Sequence, residues 1–273
     1  MGSILTAYGI AALPAGAGVK RYVRFRGKDG DGAGILEGET TVRRVKGDIF
    51  GKHEPAGAPV KLQDVKLLAP IQPPKVFAVG LNYRSHLGGR PAPTQPEIFY
   101  KPITCIQDPG GPIVIPKGSV NTHYEGELVL VIGRRLREAS PAEAKEGIFG
   151  VTCGNDVSER DWQGGPQKDL QWWRAKGADT FGPIGPVVVN GLDYGKLQLR
   201  TRLNGEVVQE QFTSDLLFDP PAIVSFISQY VTLAPGDLVF TGTPGTTRKM
   251  KGGDTVEVEI EGIGTLKNPV VAG

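Results

Sequence analysis

The segment His123-Tyr124-Glu125-Gly126-Glu127-Leu128-Val129-Leu130-Val131-Ile132-Gly133 sets two carboxylates at the entrance to a continuous apolar run. Such a run reads as a strand covered on both faces. Residues two apart on a strand point the same way, so Glu125 and Glu127 share a face. Like charges there repel and lose solvation. Two environments relieve the cost: a cation held between them, or a strand end that protrudes into water. The residues alone leave both open. The next apolar run, Ile148–Cys153, leads into Gly154-Asn155-Asp156 and sets a further carboxylate just past a strand end. Asn-Asp after Gly is also ordinary turn chemistry. If both strands end at one mouth, Glu125, Glu127 and Asp156 make an all-oxygen site suited to a hard divalent ion, Mg²⁺ or Mn²⁺. Zinc is disfavoured, because neither a thiolate pair nor a spaced histidine pair is on offer.

The chain has three histidines, His53, His86 and His123. His86 closes Gly80-Leu81-Asn82-Tyr83-Arg84-Ser85-His86 directly after a buried-strand pattern, where it is either a base at a site mouth or a structural loop residue. His123 is either a further ligand or a local packing residue, and His53 has no evident role. Lys176, just after the aromatic patch Gln171-Trp172-Trp173, is either a clamp for an anionic oxygen or a surface lysine. Thr241-Gly242-Thr243-Pro244-Gly245-Thr246-Thr247 lacks the Gly-Lys-Ser/Thr ending of a phosphate loop, although its backbone N–H groups suit a carboxylate. No GxSxG, GxGxxG or HExxH occurs, which removes the commonest hydrolase, dehydrogenase and metalloprotease readings.

Short strands must position these groups. Among 273 residues, 39 Gly and 22 Pro without a collagen period signal many tight turns. A hydrophobic content of 39% with a net charge of +2 excludes bulk disorder and gives no bias toward nucleic acid or membrane. No apolar run approaches the ~20 residues that span a bilayer, and no basic stretch precedes an apolar N-terminal core. Met1–Thr6 fits only the degenerate N-myristoylation pattern. Cys105 and Cys153 are far apart with no CxxC pair, which argues against a disulfide scaffold and for a reducing, cytoplasmic setting. The patterning predicts a small N-terminal β domain over residues 1–69, a Pro-rich linker at Ala69–Pro74, and a larger strand-rich domain over 70–273. In Lys20–Arg26, Val23 and Phe25 fall on one face, and Tyr22, Arg24 and Arg26 fall on a face expected to be solvated. Helices are predicted after Ser140, with Pro141 at N1, and over Pro220–Ser228.

From about Pro70 to Pro269 the chain resembles the fumarylacetoacetate hydrolase superfamily. The resemblance rests on the His86 segment, Phe99-Tyr100-Lys101-Pro102, Tyr124-Glu125-Gly126-Glu127, and Gly154–Gln163. It continues through Lys176–Pro186, Asn204-Gly205-Glu206, Pro235-Gly236-Asp237, and Phe240–Pro244. Any one motif is weak, but the ordered set is specific. It implies a mostly β (α+β) chain with a mixed β-roll catalytic domain, and a homodimer. It implies Mg²⁺ or Mn²⁺ on Glu125, Glu127 and Asp156, with His86 and Lys176 as catalytic groups and Arg160, Gln163 and Thr243 facing substrate. The substrates implied are 2-oxo acids, their enols and 2-hydroxydienoates. Such an acid chelates the metal through its carboxylate and keto oxygens, and the metal stabilises the enolate as a Lewis acid.

One departure bears on the reaction. Hydrolytic and decarboxylating members often carry a glutamate three residues after the histidine, and Gly89 stands there in this chain. Gly88, Gly89, Pro91 and Pro93 also argue against a lid helix. Proton-transfer chemistry, isomerase or tautomerase, is therefore expected ahead of acylpyruvate hydrolysis or oxaloacetate decarboxylation. Rival readings are a non-catalytic Ca²⁺-binding β protein and, more remotely, a nucleic-acid strip at Arg24 and Arg26. No nucleic-acid or membrane partner is expected.

Overall fold

A computed structural model describes residues 9–10 and 18–273; the Met1–Thr6 pattern and part of the expected N-terminal domain lie outside the described residues. The fold is mostly β. The strand Gly126–Ile132 lies at the centre of a 13-stranded mixed sheet, between Ile148–Asn155 and Leu238–Phe240. Beyond Leu238–Phe240 come Val76–Gly80, paired in parallel, and the edge strand Glu97–Lys101. On the other side the order runs through Gly182–Asn190 to Lys20–Gly27 and the N-terminal meander.

Every residue of Gly126–Ile132 is buried, as a continuous apolar run requires. Leu128, Leu130 and Ile132 pack in one core with Leu199, Val258 and Ile260 of a second, five-stranded sheet. Val129 and Val131 pack on the opposite face with Ile184, Val188, Leu238 and Phe240. The alternation sends odd-numbered residues of this segment to one side and even-numbered ones to the other. The helix Pro141–Gly147 starts as the sequence predicts: Ser140 and Glu143 form a reciprocal capping box. The second helix, Pro220–Tyr230, is capped by Asp219 and buries Ile223, Val224 and Ile227.

Two expectations for the N-terminal region need correction. The face of Lys20–Gly27 opposite Val23 and Phe25 is solvated at Arg26 but not at Tyr22 and Arg24. Tyr22 is buried against the His53 and Phe149 rings, and Arg24 donates from Nη1 to the Ala69 carbonyl at 3.0 Å. The physical reason is long-range packing: Lys20–Gly27 joins the large sheet edge to edge through Gly182–Asn190, and the His53 and Phe149 rings lie against Tyr22. The Pro-rich connection is also partly interior, since Ala69 and Ile71 are both buried.

Candidate metal centre

Strand register explains how the three carboxylates meet. Gly126 pairs with Asn155 and Glu127 with Gly154 in an antiparallel ladder. Extending that register sets Asp156 opposite Glu125, and the Asp156 N–H donates to the Glu125 carbonyl at 2.8 Å. Glu125, Glu127, Gly154 and Asp156 thus share the odd-numbered face. A side chain at Gly154 would meet Val129 Cγ2 at 2.4 Å and the Phe240 ring at 2.7 Å. Ligand oxygens of Glu125, Glu127 and Asp156 all lie within 4.8 Å of one another, and all three residues are buried. The reading in which this strand end protrudes into water is therefore overturned.

Cations surround two of the three. Lys176 Nζ lies 2.5 Å from Glu125 Oε2 and 2.6 Å from Asp156 Oδ2. Lys101 Nζ donates to Asp156 Oδ1 at 2.5 Å and also to the Lys176 carbonyl. Arg160 Nη2 donates to Glu125 Oε1 at 2.5 Å. Burial alone would raise the Glu125 carboxyl, but Arg160, Lys176 and His86 together hold it well below the usual carboxylate range. Burial likewise works against the Lys176 ammonium, yet Asp156 and Glu125 raise its pKa above that of an ordinary lysine. Lys176 is only 3% exposed, so it is no surface lysine.

Glu127 differs from its two neighbours. Its Oε2 accepts the Gly242 N–H at 2.7 Å, and among the described residues it makes no ion pair. Burial, then Asp156 and Glu125, push its carboxyl well above the usual range. A buried carboxylate facing two others with no cation of its own is the donor set a hard divalent ion suits. The residues present fit such an ion.

These groups open into a cavity of about 900 Å³ whose wall includes His86, Phe99, His123, Arg160, Gln163, Lys176 and Thr243. His86 ends a short 3₁₀ turn, and its Nδ1 lies 2.6 Å from the Gly245 carbonyl oxygen. A carbonyl only accepts, so Nδ1 carries a proton, and Nε2 lies 3.7 Å from Glu125 Oε1. Arg160 and Gln163 lie on the short helix Arg160–Gly164, joined by a 2.7 Å hydrogen bond. The Thr243 hydroxyl is already engaged: it donates to the Gly126 carbonyl at 2.8 Å and accepts from Gln209 Nε2 at 2.9 Å. His123 does not join the carboxylates; its ring nitrogens bond Thr247 and Asn121. Burial, then the Arg160 charge, lowers its pKa to about 4, so the ring is neutral. Residues 87–96 hold no helix, in line with their Gly and Pro content.

The sequence reading missed Lys101, Gln209 and Thr247 as members of this neighbourhood. Lys101 had a signal, since it sits in one of the motifs of the resemblance. Gln209 had none, because it reaches the site from Glu206–Phe212 of the other sheet.

Residues 75–271 match the fumarylacetoacetate (FAA) hydrolase C-terminal family, and residues 20–70 match the Rv2993c-like N-terminal family. The chain belongs to the fumarylacetoacetate hydrolase family. Its crystallographic relatives include a 2-hydroxyhepta-2,4-diene-1,7-dioate isomerase from Mycobacterium marinum. That chain is 45% identical with a TM-score of 0.86, over 93% of this chain and 98% of its own. The mitochondrial oxaloacetate tautomerase fahd2 of Xenopus laevis is 39% identical over 76% of this chain and 69% of its own. A maleylpyruvate hydrolase from Sphingobium, solved with manganese(II) and pyruvate, is 26% identical with a TM-score of 0.76, over 93% and 99%. Fumarylacetoacetate hydrolase relatives thus include isomerases, a tautomerase and a hydrolase on one fold.

Proposed function

We propose that this protein is a divalent-cation-dependent isomerase or tautomerase of 2-oxo and 2-hydroxydienoic acids. Glu125, Glu127 and Asp156 would hold Mg²⁺ or Mn²⁺, and Glu127 is the one of the three with no ion pair among the described residues. The ion, when bound, would supply Lewis acidity toward the oxygens of a 2-oxo acid. The chain's own residues account for the rest. Lys176 brings positive charge to the place where an enolate oxygen develops. Arg160 and Gln163 face the substrate from the cavity wall. Thr243 acts through its backbone and position, because its hydroxyl is engaged with Gly126 and Gln209.

One observation carries the choice of proton transfer: His86 is held by the Gly245 carbonyl with Nε2 toward the cavity. A backbone carbonyl thus orients the ring through Nδ1, where Gly89 leaves no glutamate to do so. His86 then takes a proton from carbon or oxygen of the substrate and returns it to a different atom. Acylpyruvate hydrolysis or oxaloacetate decarboxylation is the second reading, supported by the likeness to the Sphingobium maleylpyruvate hydrolase. A homodimer is part of the proposal, as is a reducing cytoplasmic setting, which two buried free thiols support.

Loss of the enol absorbance of oxaloacetate, followed with Mg²⁺ while pyruvate is assayed in parallel, tests the reading. Enol loss without pyruvate is expected, abolished in Glu127→Ala. Stoichiometric pyruvate would move the assignment to the second reading. No change with any 2-oxo acid, in a folded and metal-loaded sample, would remove both.

A further inference from the structure

One run of hydrogen bonds in the cavity wall has every proton assigned by its ends. Arg160 Nη2 lies 2.8 Å from Thr247 Oγ1. A guanidinium only donates, so the hydroxyl oxygen accepts and its own proton must point elsewhere. His123 Nδ1 lies 2.9 Å from the same oxygen, which has both a proton to donate and a second lone pair to accept with. At the far end, Asn121 Nδ2 donates to Asp161 Oδ1 at 2.9 Å. This turns Asn121 Oδ1 toward His123 Nε2, at 2.8 Å. An amide oxygen only accepts, so Nε2 carries the imidazole proton and Nδ1 its lone pair. In the neutral ring the Asn121 end fixes this tautomer, and Nδ1 then accepts the Thr247 hydroxyl proton.

We infer that His123 is a positioning residue for Arg160, acting through Thr247. The same Nη2 that rests on Thr247 donates to Glu125 Oε1 at 2.5 Å, while Nη1 rests on Gln163 Oε1 at 2.7 Å. Three acceptors thus hold the guanidinium plane at the cavity, and Thr247 is the one carried by the long irregular segment 241–249. His123 Nδ1 supplies the acceptor that keeps the Thr247 lone pairs, rather than its proton, toward Arg160. Without that acceptor the hydroxyl turns, meets the guanidinium proton to proton, and releases Arg160 from one of its contacts. The ring itself is well seated: His123 pairs with Ser158 across a short ladder, and its backbone bridges to Lys249. This role rests on the reading of Arg160 as a substrate-facing group; the hydrogen-bond polarity does not.

The test uses the different reach of two amides. Asn substitutes for the Nδ1 side of an imidazole and Gln for the Nε2 side. His123→Asn keeps an acceptor for Thr247 and is expected to stay within about threefold of the parent in KM for oxaloacetate. His123→Gln, His123→Leu and Thr247→Val lose that acceptor or the hydroxyl. In them KM, and the Kd of oxalate with Mg²⁺ measured by calorimetry, should rise on the order of 10-fold or more, as for losing a hydrogen bond to a charged group. Thr247→Ser should restore both. In an Arg160→Met background the effect of His123→Leu should vanish, since a residue that acts only through another has nothing left to act on. An undiminished effect there would overturn the proposal. So would parent-like constants in His123→Leu while the parent protein binds oxalate and turns over oxaloacetate. If the parent does neither, the functional reading fails, and long-range ¹⁵N–¹H NMR of the histidine rings still decides the polarity. A proton on Nε2 of His123 supports the relay, and a proton on Nδ1 refutes it.

Discussion

The Nδ1 nitrogen of His86 lies 2.6 Å from the carbonyl oxygen of Gly245, in the loop that also lays Gly242 N–H on Glu127. A backbone carbonyl thus orients this imidazole in a chain where Gly89 stands at the position often held by a glutamate. The loop is pinned in return, because the Gly245 N–H donates to Ser85 Oγ at 2.9 Å. His86, Glu127 and the loop are parts of one arrangement.

His86→Asn should lower kcat for enol–keto conversion by about 10²- to 10⁴-fold, the range for losing a general acid–base group. Its melting temperature should match the parent's, since the ring lies at the cavity wall. Ser85→Ala, which loosens only the loop, should cost far less, about 1 kcal/mol in the barrier. Parent-like turnover in His86→Asn would remove the histidine from the mechanism.

Glu127 is the place to look for metal dependence without an assay of turnover. Mg²⁺ or Mn²⁺ at 100 times its Kd should stabilise the parent by about 2.7 kcal/mol, visible as a rise in melting temperature. Glu127→Gln removes one of three mutually repelling carboxylates, so the metal-free variant should melt above the metal-free parent. The metal-induced rise should then shrink or disappear. A variant that melts lower and still responds fully to metal would deny Glu127 its role as ligand.

Gly126 separates the two glutamates and faces the second sheet. A Cβ there would meet Thr201 Oγ1 at 2.1 Å and Val258 Cγ1 at 3.3 Å. Gly126→Ala should therefore destabilise by about 1–3 kcal/mol through overpacking. It should also weaken metal binding, because relief of the clash moves Glu125 and Glu127 apart. Chemical denaturation with and without Mg²⁺ separates the two effects, and a neutral variant would contradict the packing described.

Both thiols should be silent in the folded protein. Burial pushes the Cys105 thiol up to about 11, and burial raises Cys153 as well. The thiolate is the nucleophile, so its fraction at pH 8 is negligible, and reaction should increase only as pH climbs toward 11 or on unfolding. A thiol-specific reagent at pH 8 should titrate neither cysteine until denaturant is added. Rapid labelling of the native protein would show that Cys105 is reachable.

Much of this was legible in local pattern. The continuous run at Leu128–Ile132 is a strand buried on both faces, and Ser140 with Pro141 and Glu143 starts a helix. The burial of Tyr22 on the outward face of Lys20–Gly27 was not legible, because the Phe149 ring that packs on it lies more than a hundred residues along.

By itself the sequence determined the residue types of the acidic cluster, the shared direction of Glu125 and Glu127, and the glycine that stands three residues after His86. These follow from side-chain period and chain geometry, which act within a few residues. Tertiary structure alone decided that Asp156 sits opposite Glu125, that Lys101 and Lys176 reach Asp156, and that Glu127 makes no ion pair among the described residues. It also decided that a carbonyl 159 residues away turns His86 toward the cavity. Register and burial are properties of paired strands, and the charge balance of a buried site depends on every group that pairing gathers.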